Sequence, residues 1–310
     1  MIQREQGYGT GISFMLLATL GWSLSGIFVR LLPDLDGWQI SCWRGYWMSV
    51  ALLAYLVAVY GRGAIAKFRH IPILALCLSA GFFTITSTLY VTSLTLVSVA
   101  TISVIGASSP IFTGLLSPWV TGEKPSVAAW GAALLALTGV GIIAWDGLEG
   151  GRLVGILVSL CVPLGFAGNT LMLRRYRGVD MVPAICVGGF VTFFAAGILG
   201  FFAGHGGGSF DVAPQDMLLL AAMGPLQLAL PAIFFVKGAR SVPAVTLSLV
   251  VMLDAVLNPL WPWLFVGEVP GKAAFIGGAI VVVAVVLSIF GGSWISGGGD
   301  RQTSRSKENA

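Results

Sequence analysis

The chain has 310 residues, of which 56% are hydrophobic and only 10% are charged. Soluble domains carry about 25% charged residues, so this composition excludes an ordinary soluble protein and predicts an integral membrane protein. The net charge is +4, but the basic residues stand in loops between apolar runs. That arrangement is typical of membrane topology and excludes a nucleic-acid-binding surface.

A membrane-spanning helix needs about 20 mostly apolar residues. The first candidate follows a short polar start, and it is predicted to remain as a helix because no small-residue cleavage site follows it. The predicted fold class is therefore an all-α polytopic membrane protein. Its ten predicted spans, numbered in chain order, are 9–30, 37–60, 71–93, 96–119, 126–146, 151–173, 181–204, 216–237, 243–266 and 271–291.

The loops alternate between the two sides of the membrane and divide the basic residues unequally. Three fall on one side, Arg30, Arg152 and Lys272, and thirteen fall on the other, which we call the basic end. Positive charge favours the cytoplasmic side, so both termini are predicted to be cytoplasmic in the inner membrane. The thirteen are Arg4, Arg62, Lys67, Arg69, Lys124, Arg174, Arg175, Arg177, Lys237, Arg240, Arg301, Arg305 and Lys307.

A short polar link between apolar segments occurs twice. Gly122-Glu123-Lys124-Pro125 returns 145 residues later as Gly267-Glu268-Val269-Pro270, and an Ala-Ala-aromatic sequence follows each copy. Five spans separate the copies, and because five is odd the two halves should lie in opposite orientations. An inverted repeat of this kind is a transport architecture that can open to either side.

The repeat predicts a division into three regions. Residues 9–146 form the first five-helix repeat and residues 151–291 form the second, inverted one. The tail 292–310 is Gly, Ser and charge, and we expect it to be disordered.

Aromatic and neutral polar residues share helical faces near the middle of several spans. Such faces favour a cavity for a zwitterionic or amphipathic small molecule. In the alternative interpretation, the hydroxyl groups bond their own helix backbone and the aromatic rings face lipid. The candidate substrate-binding residues are Trp22, Ser25, Thr86, Tyr90, Ser108, Phe166, Asn169, Gln227, Asp254 and Asn258.

Asp254 is the only carboxylate near the middle of a span. An ionisable group at that depth is costly, so it usually faces a cavity or a partner. It is either a wall of the substrate path, as a proton or ammonium site, or a protonated acid that fixes helix packing. Arg30 and Arg44 stand near the ends of spans 1 and 2 that are predicted to be external. They either attract a carboxylate or extend to the interface and pair with Asp34 or Asp36.

Four prolines inside spans are predicted hinges: Pro110, Pro163, Pro231 and Pro259. Each removes a backbone hydrogen bond and frees a carbonyl group, which membrane helices tolerate only against protein or water. The alternative is that they are ordinary kinks.

Motifs for chemistry are missing from the sequence. It has no G-x-x-x-x-G-K-[ST], HExxH or GxSxG motif, and its four cysteines lack metal-ligand spacing. We therefore predict neither an enzyme nor a cofactor or metal site.

The duplicated Gly-Glu-x-Pro unit, the run from Ala100 to Pro110, and Trp22, Arg30 and Arg44 in spans 1 and 2 resemble the drug/metabolite transporter superfamily. Within it the chain is most similar to two-EamA-domain exporters of the YddG type, over residues 10–290. The resemblance implies ten helices in two inverted halves around a central cavity, and export of amino acids from the bacterial cytoplasm. Many relatives have an acidic residue before a proline where Asp254 stands, but here Ala255 follows it, so we expect the bend in span 9 to be displaced toward Pro259.

The preferred hypothesis is thus an exporter of aromatic or broadly neutral amino acids, with the lipid bilayer and a small-molecule substrate as its only expected partners. A multidrug or organic-cation carrier is the alternative, and Asp254 with Trp22 would suit it. A nucleotide-sugar carrier is disfavoured because its phosphate groups need a cationic pocket. A structural or sensory membrane protein remains the alternative without transport.

Overall fold

A computed structural model describes residues 7–96, 102, 105–144, 153–202, 210, 212–266, 272–273 and 275–290. Every regular element among these residues is a helix, which confirms the predicted all-α class. The predicted tail 292–310 lies outside the described residues.

Among the described residues, six helices are long and apolar enough to cross a membrane: Tyr8–Val29, Gly37–Arg69, Ile73–Tyr90, Gly155–Arg175, Val182–Phe202 and Pro214–Gly238. Shorter apolar helices occupy Val127–Ile142, Ala244–Leu257 and Phe275–Phe290. These segments fall in nine of the ten predicted spans. Span 4 is the remaining one, and much of its first half lies outside the described residues.

Several spans are divided into consecutive helices. In chain order the helices are Tyr8–Ser23 and Ser25–Arg30 (span 1), Gly37–Tyr60 with Ala64–Arg69 (span 2), Ile73–Leu96 (span 3), Ser109–Val120 (span 4), Val127–Ala144 (span 5), Leu153–Arg175 (span 6), Val182–Phe202 (span 7), Pro214–Met223, the π-helical turn Gly224–Ala229 and Leu230–Gly238 (span 8), Ala244–Val251 and Asp254–Val266 (span 9), and Phe275–Phe290 (span 10).

The bounds of span 2 follow from local chemistry. The Asp36 carboxylate accepts a hydrogen bond from the Gln39 backbone at 2.8 Å, and the Gln39 side chain accepts one from the Asp36 backbone at 3.0 Å. This capping box satisfies two free N–H groups at the helix start. At the other end Gly61 has φ 53°, a conformation that glycine adopts without steric cost. The predicted span 37–60 therefore agrees with the observed helix.

Spans 2 and 7 cross at two glycines. A Cβ atom on Gly189 would lie 2.2 Å from the Ser49 hydroxyl and 2.8 Å from the Gly45 carbonyl, and a Cβ on Gly45 would lie 2.9 Å from the Gly189 carbonyl. Small residues let membrane helices approach this closely. The crossing has no room for any side chain at Gly189.

Hydrogen bonds on either side of this crossing are related by the repeat. The Ser49 hydroxyl donates to the Cys186 carbonyl at 2.8 Å, and the Cys42 thiol donates to the Phe193 carbonyl at 3.4 Å. Cys42 and Cys186 are 144 residues apart, as are Ser49 and Phe193. Residues early in span 2 thus meet residues late in span 7, so the two equivalent helices run antiparallel.

The packing of the other spans follows the same approximate two-fold symmetry, which exchanges the two halves of the chain. Span 3 packs on spans 6 and 7, and the equivalent span 8 packs on spans 1 and 2. Span 4 packs on span 6 as span 9 packs on span 1, and spans 4 and 9 pack on each other. The described helices therefore pack as two halves that this exchange relates. The halves are inverted, because the exchange relates antiparallel helices.

Two of the helix breaks are also equivalent. Span 4 is interrupted at Ala107–Ser108 and span 9 at Met252–Leu253, 145 residues later. Asp254 consequently begins the second helix of span 9. The break of span 1 at Leu24 has no counterpart in span 6, whose helix Leu153–Arg175 is continuous.

Candidate functional site

Three aromatic rings meet where spans 1, 6 and 8 converge. The Trp22 ring lies edge-on to Phe166 at 6.3 Å between centroids and to Phe235 at 5.1 Å. Phe166 and Phe235 are 5.7 Å apart. Trp22 and Phe166 are 144 residues apart, so their contact lies on the approximate two-fold axis that relates the repeats. The structure brings these two predicted site residues together and adds Phe235 to them.

Gln227 adjoins this aromatic cluster from span 8. Its side chain is only 3% exposed, and its amide group donates to the Trp22 carbonyl at 3.4 Å. Its Oε1 atom has no hydrogen-bond partner in the described part of the chain, and a buried acceptor of this kind calls for a partner from a ligand or water. The π-helical turn Gly224–Ala229 carries Gln227, and such turns often re-aim side chains at functional sites.

Tyr90 is the point at which polar groups from three other spans converge. Its hydroxyl group interacts with the Ser25 side chain of span 1 and lies close enough to Asp254 and Arg44 for electrostatic interaction. A side chain with neighbours on spans 1, 2 and 9 points into the bundle. Tyr90, Ser25 and Asp254 are partly exposed, and we take this cluster as the candidate wall of the predicted cavity.

The break in span 9 positions Asp254 at this cavity. Its carboxylate lies in the first turn of the helix Asp254–Val266, where the helix dipole favours negative charge. The displaced bend expected near Pro259 is instead found before Asp254, at Met252–Leu253. The acid therefore stands at the helix start, where the backbone N–H groups of Ala255 and Val256 donate to the carbonyl groups of Met252 and Leu253.

Arg44 is a member of this site that the sequence analysis left open. It is 4% exposed, its Nη2 donates to the Ser87 hydroxyl at 3.1 Å, and its Nε has no hydrogen-bond partner among the described residues. A cation in a span costs at least about 2.5 kcal/mol by insertion scales. The sequence did indicate that Arg44 lies inside the span, roughly 10 Å beyond the helix start at Gly37. It did not show whether the side chain faces lipid or the other helices.

Other predicted site residues lie elsewhere. Thr86 donates to the Phe82 carbonyl at 2.8 Å and packs against Gly165 of span 6. Asn169, 6% exposed, accepts from Ser79 at 2.7 Å between spans 3 and 6.

Two further candidates belong to the broken spans 4 and 9. Ser108 lies in the break of span 4 and donates to the Ile105 carbonyl at 2.5 Å. Asn258 belongs to the second helix of span 9, but its side chain is outside the described residues.

The predicted hinge prolines have different settings. Pro110 follows the break in span 4, and Pro231 follows the π-helical turn in span 8. Pro163 lies inside a continuous helix. Pro259 lies inside the helix Asp254–Val266, downstream of the break, and nothing of its side chain is described.

The repeated Gly-Glu-x-Pro link closes the basic end of the bundle. Gly122 has φ 75°, which favours glycine. The Glu123 carboxylate accepts from Arg174 Nε at 2.6 Å and from the Ala244 backbone at the start of span 9 at 3.2 Å. Arg174 also donates from Nη1 to the carbonyl groups of Ala239 and Arg240, at 3.1 and 3.0 Å. One ion pair thus joins the 4–5 link, the end of span 6 and the 8–9 loop.

A second polar cluster lies at the same end. The Asp180 carboxylate accepts from the Tyr60 hydroxyl at 2.8 Å and from the Val182 backbone at 3.1 Å, and Arg240 stands 3.8 Å away. Spans 2 and 7 and the 8–9 loop are joined by these contacts. Together the two clusters join the helices at the basic end, while Tyr90, Ser25 and Asp254 are partly exposed.

Comparisons with known proteins agree with this architecture. A solved crystal structure matches with a TM-score of 0.76 over 93% of this chain and 99% of that chain, and its 16% identity shows a shared fold only. The chain is 25% identical to an uncharacterized transporter, YdfC, of Bacillus subtilis, over 77% of this chain and 78% of that protein. It is also 25% identical to a probable terminal-alkyne amino-acid exporter of Streptantibioticus cattleyicolor, over 88% and 91%.

The sequence model of the EamA-like transporter family matches twice, over residues 9–145 and 153–290. These two matches coincide with the two halves that the helix packing exchanges. The chain therefore belongs to the EamA-like transporter family, within the drug/metabolite transporter superfamily.

Proposed function

We propose that this protein exports aromatic and other neutral amino acids, with related small metabolites, across the bacterial inner membrane. The observation that carries the proposal is the Trp22–Phe166–Phe235 cluster on the two-fold axis, bordered by Gln227. Ligand sites are mostly apolar walls with a few placed polar groups. This site offers aromatic rings that can contact the apolar side chain of a substrate and hydrogen-bonding groups for its amino and carboxyl groups.

The comparisons support the same substrate class. A relative matched over 88% of this chain is named as an amino-acid exporter. The two charged groups beside Tyr90 have opposite signs, and a zwitterion matches such a pair better than a phosphorylated ligand does.

Alternating access follows from the inverted repeats. Exchange of the conformations of the two halves would close one end of the cavity as the other opens. In this structure the Glu123–Arg174 pair joins three segments at the basic end. If the basic end is cytoplasmic, these contacts must separate before a substrate can enter from the cytoplasm.

Purified protein in liposomes tests the proposal. Vesicles are loaded with labelled phenylalanine, threonine or methionine, and release is compared with that from protein-free vesicles. We expect protein-dependent release that is fastest for phenylalanine and saturates with concentration. Release of all three amino acids no faster than from protein-free vesicles would overturn the proposal.

An organic-cation carrier is the second candidate, and the presence of a mid-span carboxylate, Asp254, in the same bundle as an aromatic cluster favours it. Tetraphenylphosphonium is a suitable probe because it is cationic and aromatic but has no carboxylate group. Saturable efflux of this probe that the Asp254→Asn variant loses, without amino-acid release by the unaltered protein, would favour the second candidate.

A further inference from the structure

A basic and an acidic residue approach Tyr90 from different spans. Arg44 of span 2 donates to Ser87 at 3.1 Å, one helical turn before Tyr90, and the helix that begins at Asp254 packs on the helix that begins at Ser25. Both Arg44 and Asp254 are close enough to Tyr90 for electrostatic interaction. The basic residue comes from the first repeat and the acidic one from the second.

The surroundings of Arg44 leave part of its guanidinium group available. This group has five N–H donors in a planar fork that fits a carboxylate. The only hydrogen bond described for it is the one from Nη2 to Ser87, and Nε, on an edge of the fork, is buried without a hydrogen-bond partner in the described part of the chain. A buried arginine in this state can gain charge-assisted hydrogen bonds from a ligand.

The approximate two-fold symmetry does not repeat these charges. The residue 144 positions after Arg44 is Gly188, the one 144 after Tyr90 is Phe234, and the one 145 before Asp254 is Ser109. The equivalent positions therefore have no charged residue. The charges belong to one side of the symmetry axis, which is where a site that is not itself symmetric would differ from the duplicated scaffold.

We infer that Arg44 and Asp254 are the specificity-determining pair of the transporter. The Arg44 guanidinium binds the substrate carboxylate, and the Asp254 carboxylate binds its ammonium group. Tyr90 lies between them, and the substrate side chain points to the Trp22–Phe166–Phe235 cluster. This inference rests on the proposed export of amino acids and selects zwitterionic α-amino acids as the substrate class.

A panel of phenylalanine analogues tests the inference. Phenylalanine methyl ester lacks the anionic carboxylate, and 3-phenylpropionate lacks the ammonium group. Each competes with labelled phenylalanine for efflux from proteoliposomes. We expect each analogue to inhibit about 10- to 100-fold more weakly than phenylalanine, since each loses one charge-assisted contact.

Two variants assign each contact to its residue. Arg44→Gln should weaken phenylalanine inhibition at least tenfold and leave that by the methyl ester unchanged. Asp254→Asn should weaken phenylalanine inhibition similarly and leave that by 3-phenylpropionate unchanged. Arg177→Gln removes an exposed cation at the basic end, and its inhibition pattern should match that of the unaltered protein.

Arg44→Lys keeps the charge but loses the planar fork, so it serves if the glutamine variant does not fold. It should retain the preference for phenylalanine over its methyl ester with a several-fold weaker affinity. Equal inhibition by phenylalanine and both analogues in the unaltered protein would overturn this inference and leave amino-acid export standing. Absence of any amino-acid efflux would instead overturn the proposed function.

Discussion

The two repeats share a scaffold but differ in chemistry around the cavity. The first repeat places Ser25, Arg44 and Tyr90 together, and the second contributes Asp254. Their equivalents are Asn169, Gly188, Phe234 and Ser109. Asn169 and Ser109 are buried, and hydrogen bonds from Ser79 and Thr84, at 2.7 and 3.0 Å, join Asn169 and Gly188 to span 3, so these positions are engaged by a neighbouring helix.

This difference separates the residues that hold the bundle from those that bind. Contacts on the two-fold axis, such as Gly45 with Gly189, are repeated in both halves and fix the crossing of equivalent helices. The charged and hydroxyl groups of the cavity are not repeated. The duplication thus supplies the fold, and departures from it supply the site.

The largest expected effect comes from filling the glycine crossing. In Gly189→Ala the new Cβ would lie 2.2 Å from the Ser49 hydroxyl and 2.8 Å from the Gly45 backbone carbonyl, so the two helices would have to move apart along the crossing. We expect a strong loss of monodisperse protein in detergent by size-exclusion chromatography. The control is Gly81→Ala, whose Cβ would meet nothing within 4 Å; an equal loss in this control would contradict the proposed importance of the crossing.

Removal of the ion pair at the basic end should have the next largest effect. Arg174→Gln leaves Glu123 and two backbone carbonyl groups without their donor, and each hydrogen bond to a charged group contributes about 1.5–3 kcal/mol. We expect the melting temperature in detergent to fall by on the order of 5 °C. Arg177→Gln removes an exposed charge nearby and should leave it unchanged. Equal melting of the two variants would mean that the pair does not hold the basic end closed.

The aromatic cluster should set the preference for the substrate side chain. Trp22→Leu removes ring contacts to Phe166 and Phe235, and an aromatic pair contributes about 0.5–1.5 kcal/mol. Phenylalanine efflux should therefore weaken about tenfold relative to threonine efflux. Phe14→Leu removes a peripheral ring that stacks on Phe234 at 5.9 Å, and it should keep the ratio of the two rates. A change in both variants alike would argue against a substrate contact at Trp22.

The smallest predicted effect compares a hydroxyl group with its counterpart. Tyr90→Phe removes the group that interacts with Ser25, and a neutral hydrogen bond contributes about 0.5–1.5 kcal/mol. The half-saturating phenylalanine concentration should rise about three- to tenfold. Phe234→Tyr adds a hydroxyl group at the equivalent position in the second repeat and should change it less than twofold. A larger effect of Phe234→Tyr than of Tyr90→Phe would place the substrate beside Phe234 instead of Tyr90.

Much of the fold could be predicted because membrane helices depend on local composition. Span 2 was predicted as 37–60 and observed as Gly37–Tyr60, since a capping box starts it and a glycine ends it. The inverted repeat was visible in the Glu123 and Glu268 links, and the antiparallel packing of spans 2 and 7 confirms it.

The helix breaks were harder to predict because proline marks a weak point without fixing its location. In span 9 the break is at Met252–Leu253, several residues before Pro259. In span 6 the helix continues through Pro163. Neighbouring helices and side-chain hydrogen bonds decide where a freed backbone group can be satisfied, and this information is not local.

Site residues were predicted unevenly for a related reason. Helical periodicity identifies residues that share a face of a helix. It does not show whether that face contacts lipid, another helix or a cavity. Trp22 and Tyr90 face other spans at the cavity, whereas Thr86 packs against Gly165. The sequence left two roles for Arg44, binding a carboxylate or extending to the interface, because its burial against Ser87 depends on how spans 2 and 3 pack.

Cysteine accessibility tests the central claim most directly, that the substrate binds at Ser25, Arg44, Tyr90 and Asp254 and not at the symmetry-related positions. Single cysteines are introduced as Ser25→Cys and Asn169→Cys, at equivalent positions, in a protein whose four cysteines are replaced by serine. Their reaction with a water-soluble maleimide is followed with and without phenylalanine. We predict rapid labelling at position 25 that phenylalanine slows, and slow labelling at position 169 that it does not affect. Equal labelling at both positions, with no protection by phenylalanine, would contradict the account.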